Sequence, residues 1–197
     1  MVRRARSRKD RTAVAILEAA ARVLARQGRG ATISQVAVEA GVGRATVYRY
    51  FATREQLVSA LWDAALSEVD ERLTAARLEQ APFEQGLTRV VRAIASVGER
   101  YAVLLGEQSR EELERGREVI GDRVFATLAR GQRSGALRGD VPLDLIAEMF
   151  GGIVLMGLRQ ALEQGLGIEE ASSAVVSVFL RGAGSVEGAA RRSTATR

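Results

Sequence analysis

The chain has 197 residues, a length that suits one compact domain or two small ones and allows about two thirds of the unfolded surface to be buried. Apolar residues make up 47% of it and charged residues 27%, and there are 2 prolines, which is typical of a folded, helix-rich protein. The lack of histidine and cysteine excludes the usual general base, the thiol nucleophile, disulfides and most zinc sites, so we expect neither an enzyme nor a metal or cofactor site.

Positive charge is concentrated at one end of the sequence. The residues up to Arg54 include 12 basic and 3 acidic side chains, a net charge of +9, whereas the rest includes 17 basic and 21 acidic ones, a net charge of −4. A basic quarter on a mildly acidic body indicates either that this end meets a polyanion such as DNA or that its arginines keep the protein in solution.

The sequence predicts no membrane segment. The longest uncharged runs, residues 149–158 and 171–180, have ten residues each, whereas a helix that spans a bilayer needs about 20 apolar residues. No apolar stretch follows the basic start, so no secretory signal is predicted and a cytoplasmic protein is expected.

The first part of the chain predicts a tail followed by four helices. Residues 1–10 are basic and aperiodic, so a disordered tail is expected there, and the apolar spacing over residues 16–24 predicts the first helix. Further helices are predicted to open at Thr32, near Arg44 and at Thr53. Thr32 and Thr53 each precede a glutamine by three residues, which is the spacing of a capping box.

Five more helices are predicted after Pro82, because apolar residues recur there every three or four positions. They cover residues 87–104, a short stretch from Ser109, residues 119–129, a stretch opening at Pro142, and residues 168–180. Residues 183–197 are small and polar, so a second disordered tail is expected. With nine helices and no strand, the sequence predicts an all-α bundle.

Residues 32–54 contain the spacing of a helix-turn-helix. Ala37 is small enough for the point where two helices cross, and Gly41 can adopt the positive φ of the turn. Val47 is a β-branched residue that anchors the second helix in the core. In a helix-turn-helix that binds DNA, this second helix enters the major groove.

The outward face of the predicted second helix is small, cationic and aromatic. With Val47 buried, the helical rotation points Ala45 and Arg49 outward, with Tyr48 beside them. Arg49 can offer two parallel donors to a guanine, and Ala45 is short enough to touch a thymine methyl group. Groups placed to reach phosphate oxygens are Thr32, Thr46, Tyr48, Tyr50 and Arg54, and Arg44 either reads a base or holds a phosphate. The same face is otherwise explained as a solvated helix surface.

Residues 11–61 resemble the DNA-binding domain of the TetR (tetracycline-repressor-like) family of bacterial transcriptional regulators. The resemblance rests on the apolar stripe of the first helix, on the block ATISQVAVEAGVGRATVYRYFATREQLVSAL, and on the family's Tyr-x-Tyr/His-Phe pattern followed three residues later by Lys or Arg. It implies DNA contacts at Thr32, Arg44, Ala45, Thr46, Tyr48, Arg49, Tyr50 and Arg54. This sequence carries Tyr50 where many members have His, and Ala45 where many have Gly.

The resemblance also implies a division of the chain into domains. Residues 11–55 are expected to form the three-helix DNA-binding domain, and residues 56–182 a helical domain for effector binding and dimerisation, which matches the family in layout alone. The implied function is that of a repressor released from its operator by a small molecule that favours a second arrangement of the protein.

A homodimer on a palindromic operator is expected, because one helix-turn-helix reads too few base pairs to find its site in a genome. Two recognition helices would then lie one DNA turn, roughly 34 Å, or a multiple of it apart. The two apolar C-terminal helices are buried either inside the chain or against a second copy, and the resemblance favours the second copy. The predicted interface comprises Phe150, Gly151, Val154, Leu155, Leu158, Ala171, Val175, Val178 and Phe179.

The family resemblance implies an effector cavity, although the sequence does not identify the effector. The residues on the helices that surround such a cavity are Trp62, Leu66, Tyr101, Leu105, Phe125, Leu128 and Met156. Each of them is otherwise explained as an ordinary core residue.

Two other classes of function receive little support. Paired carboxylates at Glu111 with Glu112 and at Asp140 with Asp144 would suit an enzyme, but they lie at turns or helix starts, where acids are favourable for structural reasons. A membrane anchor would need an apolar face that residues 1–11 lack. These N-terminal residues either follow DNA phosphates or a minor groove, or have no contact with DNA.

Overall fold

The computed structural model describes residues 2–101 and 109–184, and the fold within them is all-α, as predicted. The helices are α1 (Val2–Gln27), α2 (Ile33–Glu39), α3 (Arg44–Tyr50), α4 (Arg54–Ala75), α5 (Phe83–Tyr101), α6 (Arg110–Arg133), α7 (Leu143–Glu163) and α8 (Ile168–Ala183). No strand occurs in these residues, and none of their helices has the length and hydropathy needed to cross a bilayer.

The described residues contain eight α-helices where nine are predicted, because two predicted helices form the single helix α6. A capping box opens α6 at Ser109, whose side chain accepts a hydrogen bond from the Glu112 amide. From there the helix continues through Gly116 to Arg133. Glycine inside a helix costs about 1 kcal/mol relative to alanine, but Gly116 is buried and charged helix-forming residues precede it, so the helix is not interrupted.

Helix α1 begins at Val2, whereas the composition of residues 1–10 predicts a disordered tail. Arginine, the commonest residue of this segment, has high helix propensity. Apolar periodicity gives no signal for a helical segment that lacks an apolar face. At the other end α8 stops at Ala183, and the tail predicted there lies, from residue 185 onward, outside the described residues.

The chain divides into two compact units, and the division falls within α4 after Ala65. The first unit contains α1, α2, α3 and the beginning of α4. Its core includes Ile16 from α1, Val36 from α2 and Val47 from α3, each exposed by 2% or less. Helix α1 packs against α2, and α2 packs against α3. The three N-terminal helices therefore share one core.

The second unit contains the rest of α4 and helices α5 to α8, except for the last residues of α5. Helix α7 packs against both α6 and α8. The rings of Phe150 and Phe179 meet edge to face with 4.8 Å between their centroids, which is a favourable aromatic geometry. Gly157 allows α7 and α8 to approach, since a Cβ at this position would lie 2.9 Å from a methyl group of Val175.

Three arginines of α5 and α6 donate to main-chain carbonyl oxygens near the end of α4 and in the residues that follow it. The bonds run from Arg123 to Asp70 at 2.8 Å, from Arg89 to Ala76 at 2.7 Å and from Arg130 to Leu78 at 2.7 Å. Asp70 lies in α4, whereas Ala76 and Leu78 come after it. The arginines thus tie this stretch of chain to α5 and α6 within the second unit.

Replacing Gly131 by alanine is expected to lower the free energy of unfolding by about 1–3 kcal/mol, because overpacking strains a core. An added Cβ would lie 2.5 Å from the ring of Phe83, which would have to move. Urea denaturation of the variant measures the loss. The control is Gly139→Ala, whose Cβ meets no atom within 4 Å; a change within about 0.5 kcal/mol is expected there. Equal effects of the two substitutions would contradict this packing.

Candidate nucleic-acid interface

The position of α2 on α1 is fixed by a carboxylate between two arginines. Arg22 donates to Glu39 at 2.8 Å, and Arg26 donates to its other oxygen at 2.5 Å. The hydrogen bond from Arg22, followed by the one from Arg26, lowers the pKa of Glu39. Because both arginines lie on α1 and Glu39 is the last residue of α2, the pair joins the two helices by charge as well as by packing.

The predicted capping box at the start of α2 is confirmed. The Thr32 side chain accepts a hydrogen bond from the Gln35 amide at 3.3 Å, and the Gln35 side chain accepts one from the Thr32 amide at 2.9 Å. Thr32 is exposed, so its hydroxyl lies at the surface where α2 begins. At the start of α4, Thr53 accepts a hydrogen bond from the amide of Gln56 as the spacing predicts, but the Gln56 side chain accepts from the amide of Ala52, so the reciprocal bond to Thr53 is replaced by one to the preceding residue.

The turn between α2 and α3 has the predicted geometry. Gly41 has a φ of 66°, in the left-handed region that favours glycine. Ala37 is 2% exposed, and its carbonyl accepts a hydrogen bond from the Val42 amide. These contacts bring the chain from the end of α2 into α3 within a few residues, as a helix-turn-helix requires.

Helix α3 presents the predicted ridge to solvent. Val47 is fully buried, whereas Arg44, Ala45, Tyr48 and Arg49 are exposed. Three further predicted contacts, Thr46, Tyr50 and Arg54, are half-buried. Seven of the eight residues predicted to contact DNA thus lie on α3 or at the first residue of α4, the eighth, Thr32, caps α2, and all eight have some surface exposed.

The two arginines of α3 differ from those of α1 in their partners. Within the described residues, no carboxylate lies at ion-pair distance from Arg44 or Arg49. The guanidinium of Arg49 lies over the ring of Tyr50 instead, 5.5 Å from its centroid. The donors of both arginines are therefore available to a ligand, in contrast to Arg22 and Arg26.

Most residues predicted for the dimer interface lie in the core of the chain. The exceptions are Val178, which is 63% exposed, and Gly151 and Leu155, which are half-buried. The buried ones, each exposed by 5% or less, are Phe150, Val154, Leu158, Ala171, Val175 and Phe179. These six side chains are covered within the chain, where α7 packs against α8.

Sequence reasoning missed the face of α7 that remains uncovered. Leu145, Met149 and Met156 are 51%, 55% and 61% exposed, and Gly152 between them is exposed as well. We call these four residues the α7 stripe. Their steps of four, three and four residues were available in the sequence, but both faces of α7 are apolar and periodicity alone does not show which one is covered.

The residues predicted for an effector cavity differ in their burial. Trp62, Leu66 and Leu128 are buried, whereas Phe125 is 40% exposed and Met156 belongs to the α7 stripe. The side chain of Tyr101 and the whole of Leu105 lie outside the described residues.

An all-α chain with an exposed basic recognition helix, followed by a second helical unit, defines a class of proteins: transcriptional regulators that bind DNA. Residues 16–61 match the family model described as bacterial regulatory proteins of the tetR family. These residues are therefore similar to the DNA-binding domain of that family, as the sequence predicts, and the curated proteins that the chain resembles are transcriptional regulators rather than enzymes.

The curated relatives, matched over most of their length, are described as HTH-type transcriptional repressors or regulators. The transcriptional repressor AcnR of Corynebacterium efficiens is 29% identical over 166 residues, which cover 78% of this chain and 83% of the relative. The uncharacterized HTH-type transcriptional regulator YfiR of Bacillus subtilis is 28% identical over 155 residues, which cover 72% of this chain and 76% of the relative.

Solved structures show the same fold. LfrR of Mycobacterium smegmatis, in complex with proflavine, has a TM-score of 0.71 at 24% identity and covers 86% of this chain and 95% of its own. FadR of Bacillus subtilis, in complex with stearoyl-CoA, has a TM-score of 0.70 at 21% identity and covers 86% of this chain and 98% of its own.

Glu39→Gln is expected to destabilise the protein at pH 7, because two arginine partners lower the pKa of Glu39 in the folded state. A lowered folded-state pKa stabilises the protein above the pKa of the unfolded chain, about 4.3 for glutamate. This contribution is lost as the pH falls through the folded-state pKa. The difference in unfolding free energy between wild type and variant, measured by urea denaturation, should therefore be largest near pH 7 and shrink in acid.

The matched control is Glu18→Gln, which removes an exposed carboxylate of α1 that has no ion pair within the described residues. It should change stability little at either pH. A Glu39→Gln deficit that stays constant between pH 7 and pH 3 would show that the ion pairs are not its source.

Proposed function

We propose that the protein is a repressor that occupies a palindromic operator as a homodimer and is released when a small molecule binds its second unit. The observation that carries the DNA-binding half of this proposal is the exposed ridge of α3, whose arginines have no acidic partner within the described residues. The repressor AcnR, similar to this chain over most of its length, supports repression as the outcome.

The ridge offers both base and phosphate contacts. We infer that Arg49 reads a guanine through two parallel N–H donors and that Ala45 lies against a thymine methyl group. Arg44, at the first turn of α3, reads a base or holds a phosphate. The hydroxyl and guanidinium groups around the ridge, those of Thr32, Thr46, Tyr48, Tyr50 and Arg54, then hold the DNA backbone.

Arg49→Ala is expected to lower the affinity for specific DNA by about 1–3 kcal/mol, roughly 5- to 150-fold, and to relax the preference for one base pair. The affinity is measured by fluorescence anisotropy at several salt concentrations, on the duplex region upstream of the gene or on a site selected from random duplexes. Arg110→Ala, which removes an exposed arginine of α6 in the second unit, is the control and should bind like wild type. Unchanged specific affinity in Arg49→Ala would refute the assigned ridge.

We propose that the α7 stripe, together with Val178 of α8, forms the dimer interface. Large apolar side chains exposed at steps of three and four residues form a continuous face, and such a face on a protein in water favours association. Gly152 in the middle of the stripe leaves room for a second helix to approach. The buried residues of α7 and α8 support this face from behind rather than forming it.

Met149→Glu is expected to convert the dimer to a monomer, because it places a charge in the proposed apolar interface while leaving the core of the chain intact. Sedimentation equilibrium measures the mass. Loss of the second reading head should also weaken binding to a two-site operator by about 10²-fold or more. Val119→Glu, at a 43% exposed apolar position of α6, is the control and should remain dimeric. A Met149→Glu protein with the mass of two chains would place the interface elsewhere.

The second unit is the proposed site of effector binding. LfrR and FadR, which share this fold, were solved with proflavine and stearoyl-CoA, two ligands with large apolar parts. Buried apolar residues such as Leu66 and Leu128 suit a molecule of this kind. To weaken DNA binding 5- to 150-fold, an effector needs a coupling free energy of about 1–3 kcal/mol.

A further inference from the structure

Tyr50, the last residue of α3, lies beside the arginine to which base reading is assigned. It is half-buried, and its ring carries the guanidinium of Arg49 at 5.5 Å from the centroid. A cation within about 6 Å of an aromatic centroid is attracted to the face of the ring. The contact with Arg49 is therefore made by the ring of Tyr50 and not by its hydroxyl.

The type of contact matters for reading a base. A carboxylate partner would engage the N–H donors of the arginine directly, as Glu39 engages those of Arg22 and Arg26. An aromatic ring attracts the guanidinium through its face and leaves the N–H donors in the guanidinium plane unoccupied. Two of those donors are what the O6 and N7 atoms of guanine require.

Holding the side chain in advance also lowers the entropic cost of binding. A free arginine side chain loses most of its rotamer freedom when it docks on a base. A ring that already restricts the guanidinium removes part of that loss before the DNA arrives. For an exposed cation–π contact the effect is about two- to fivefold in affinity.

We propose that Tyr50 is a positioning residue for Arg49, and that the preference of α3 for guanine depends on the ring of Tyr50 rather than on its hydroxyl. The inference rests on the proposed base contact of Arg49. It separates two roles within one side chain, since the hydroxyl of Tyr50 is also assigned to a phosphate oxygen.

The test compares affinities for two duplexes, the selected operator and the same operator with 7-deazaguanine at the guanine that Arg49 reads. The modified base lacks N7, so it loses one of the two hydrogen bonds to arginine. Compared with Tyr50→Phe, which also lacks the hydroxyl, Tyr50→Leu is expected to bind the natural operator about two- to fivefold more weakly and the modified one about equally. Tyr50→Phe keeps the ring and should discriminate between the duplexes as well as wild type does, even if both affinities fall.

A double-mutant cycle shows whether the effect passes through Arg49. In an Arg49→Ala background, Tyr50→Leu should have no further effect on discrimination. The control Tyr48→Leu removes the neighbouring exposed ring and should lower the affinity for both duplexes equally. If Tyr50→Leu lacks a cooperative thermal unfolding transition, Tyr50→Trp replaces it: indole attracts cations more strongly, so discrimination should rise above that of Tyr50→Phe.

The outcomes separate the two proposals. Suppose that Arg49→Ala lowers the specific affinity. The positioning role alone is then overturned if Tyr50→Leu discriminates between the duplexes as well as wild type does. It is also overturned if Tyr50→Leu loses the same discrimination in the Arg49→Ala background as in the wild-type background. Equal discrimination by the Tyr50→Trp and Tyr50→Phe proteins also overturns it. An Arg49→Ala protein that binds both duplexes like wild type overturns the base contact and the positioning role with it.

Discussion

Burial of Val47 is the constraint on which the DNA-binding surface depends. A seven-residue helix has no stable orientation of its own, because a helix this short is marginal in water and takes its stability from packing. With Val47 fully buried, the rotation of α3 is set, and the side chains of Arg44, Ala45 and Arg49 can point only toward solvent. The chemistry of the ridge is thus a consequence of one apolar contact on its opposite side.

Three other features hold that contact in place. Gly41 turns the chain at a φ that a residue with a Cβ rarely adopts, the Thr32 capping box starts α2, and Glu39 joins α2 to α1. The ion pairs have a second consequence for charge. Arg22 and Arg26 share the carboxylate of Glu39, which offsets one of their two positive charges, whereas Arg44 and Arg49 have no acidic partner within the described residues.

In the second unit the main constraint is the covering of apolar surface, because its C-terminal helices are apolar on more than one face. One face of α7 meets α8 through the Phe150–Phe179 pair, and the other carries the α7 stripe. An exposed apolar stripe of this kind favours association with a further surface. The six predicted interface residues that are buried within the chain pack inside it and do not form such a surface themselves.

Much of this protein was determined by the sequence itself. Most helix positions, the side-chain caps at Thr32, Thr53 and Ser109, the turn at Gly41 and the ridge of α3 follow from local spacing, because they depend on residues a few positions apart. The continuity of α6, the covered face of α7, the ion pairs of Glu39 and the ring contact of Arg49 became known only with the tertiary structure. Sequence periodicity shows that a face is apolar or charged. What lies against that face depends on packing in space, both between elements that are distant in the chain and between side chains of the same helix.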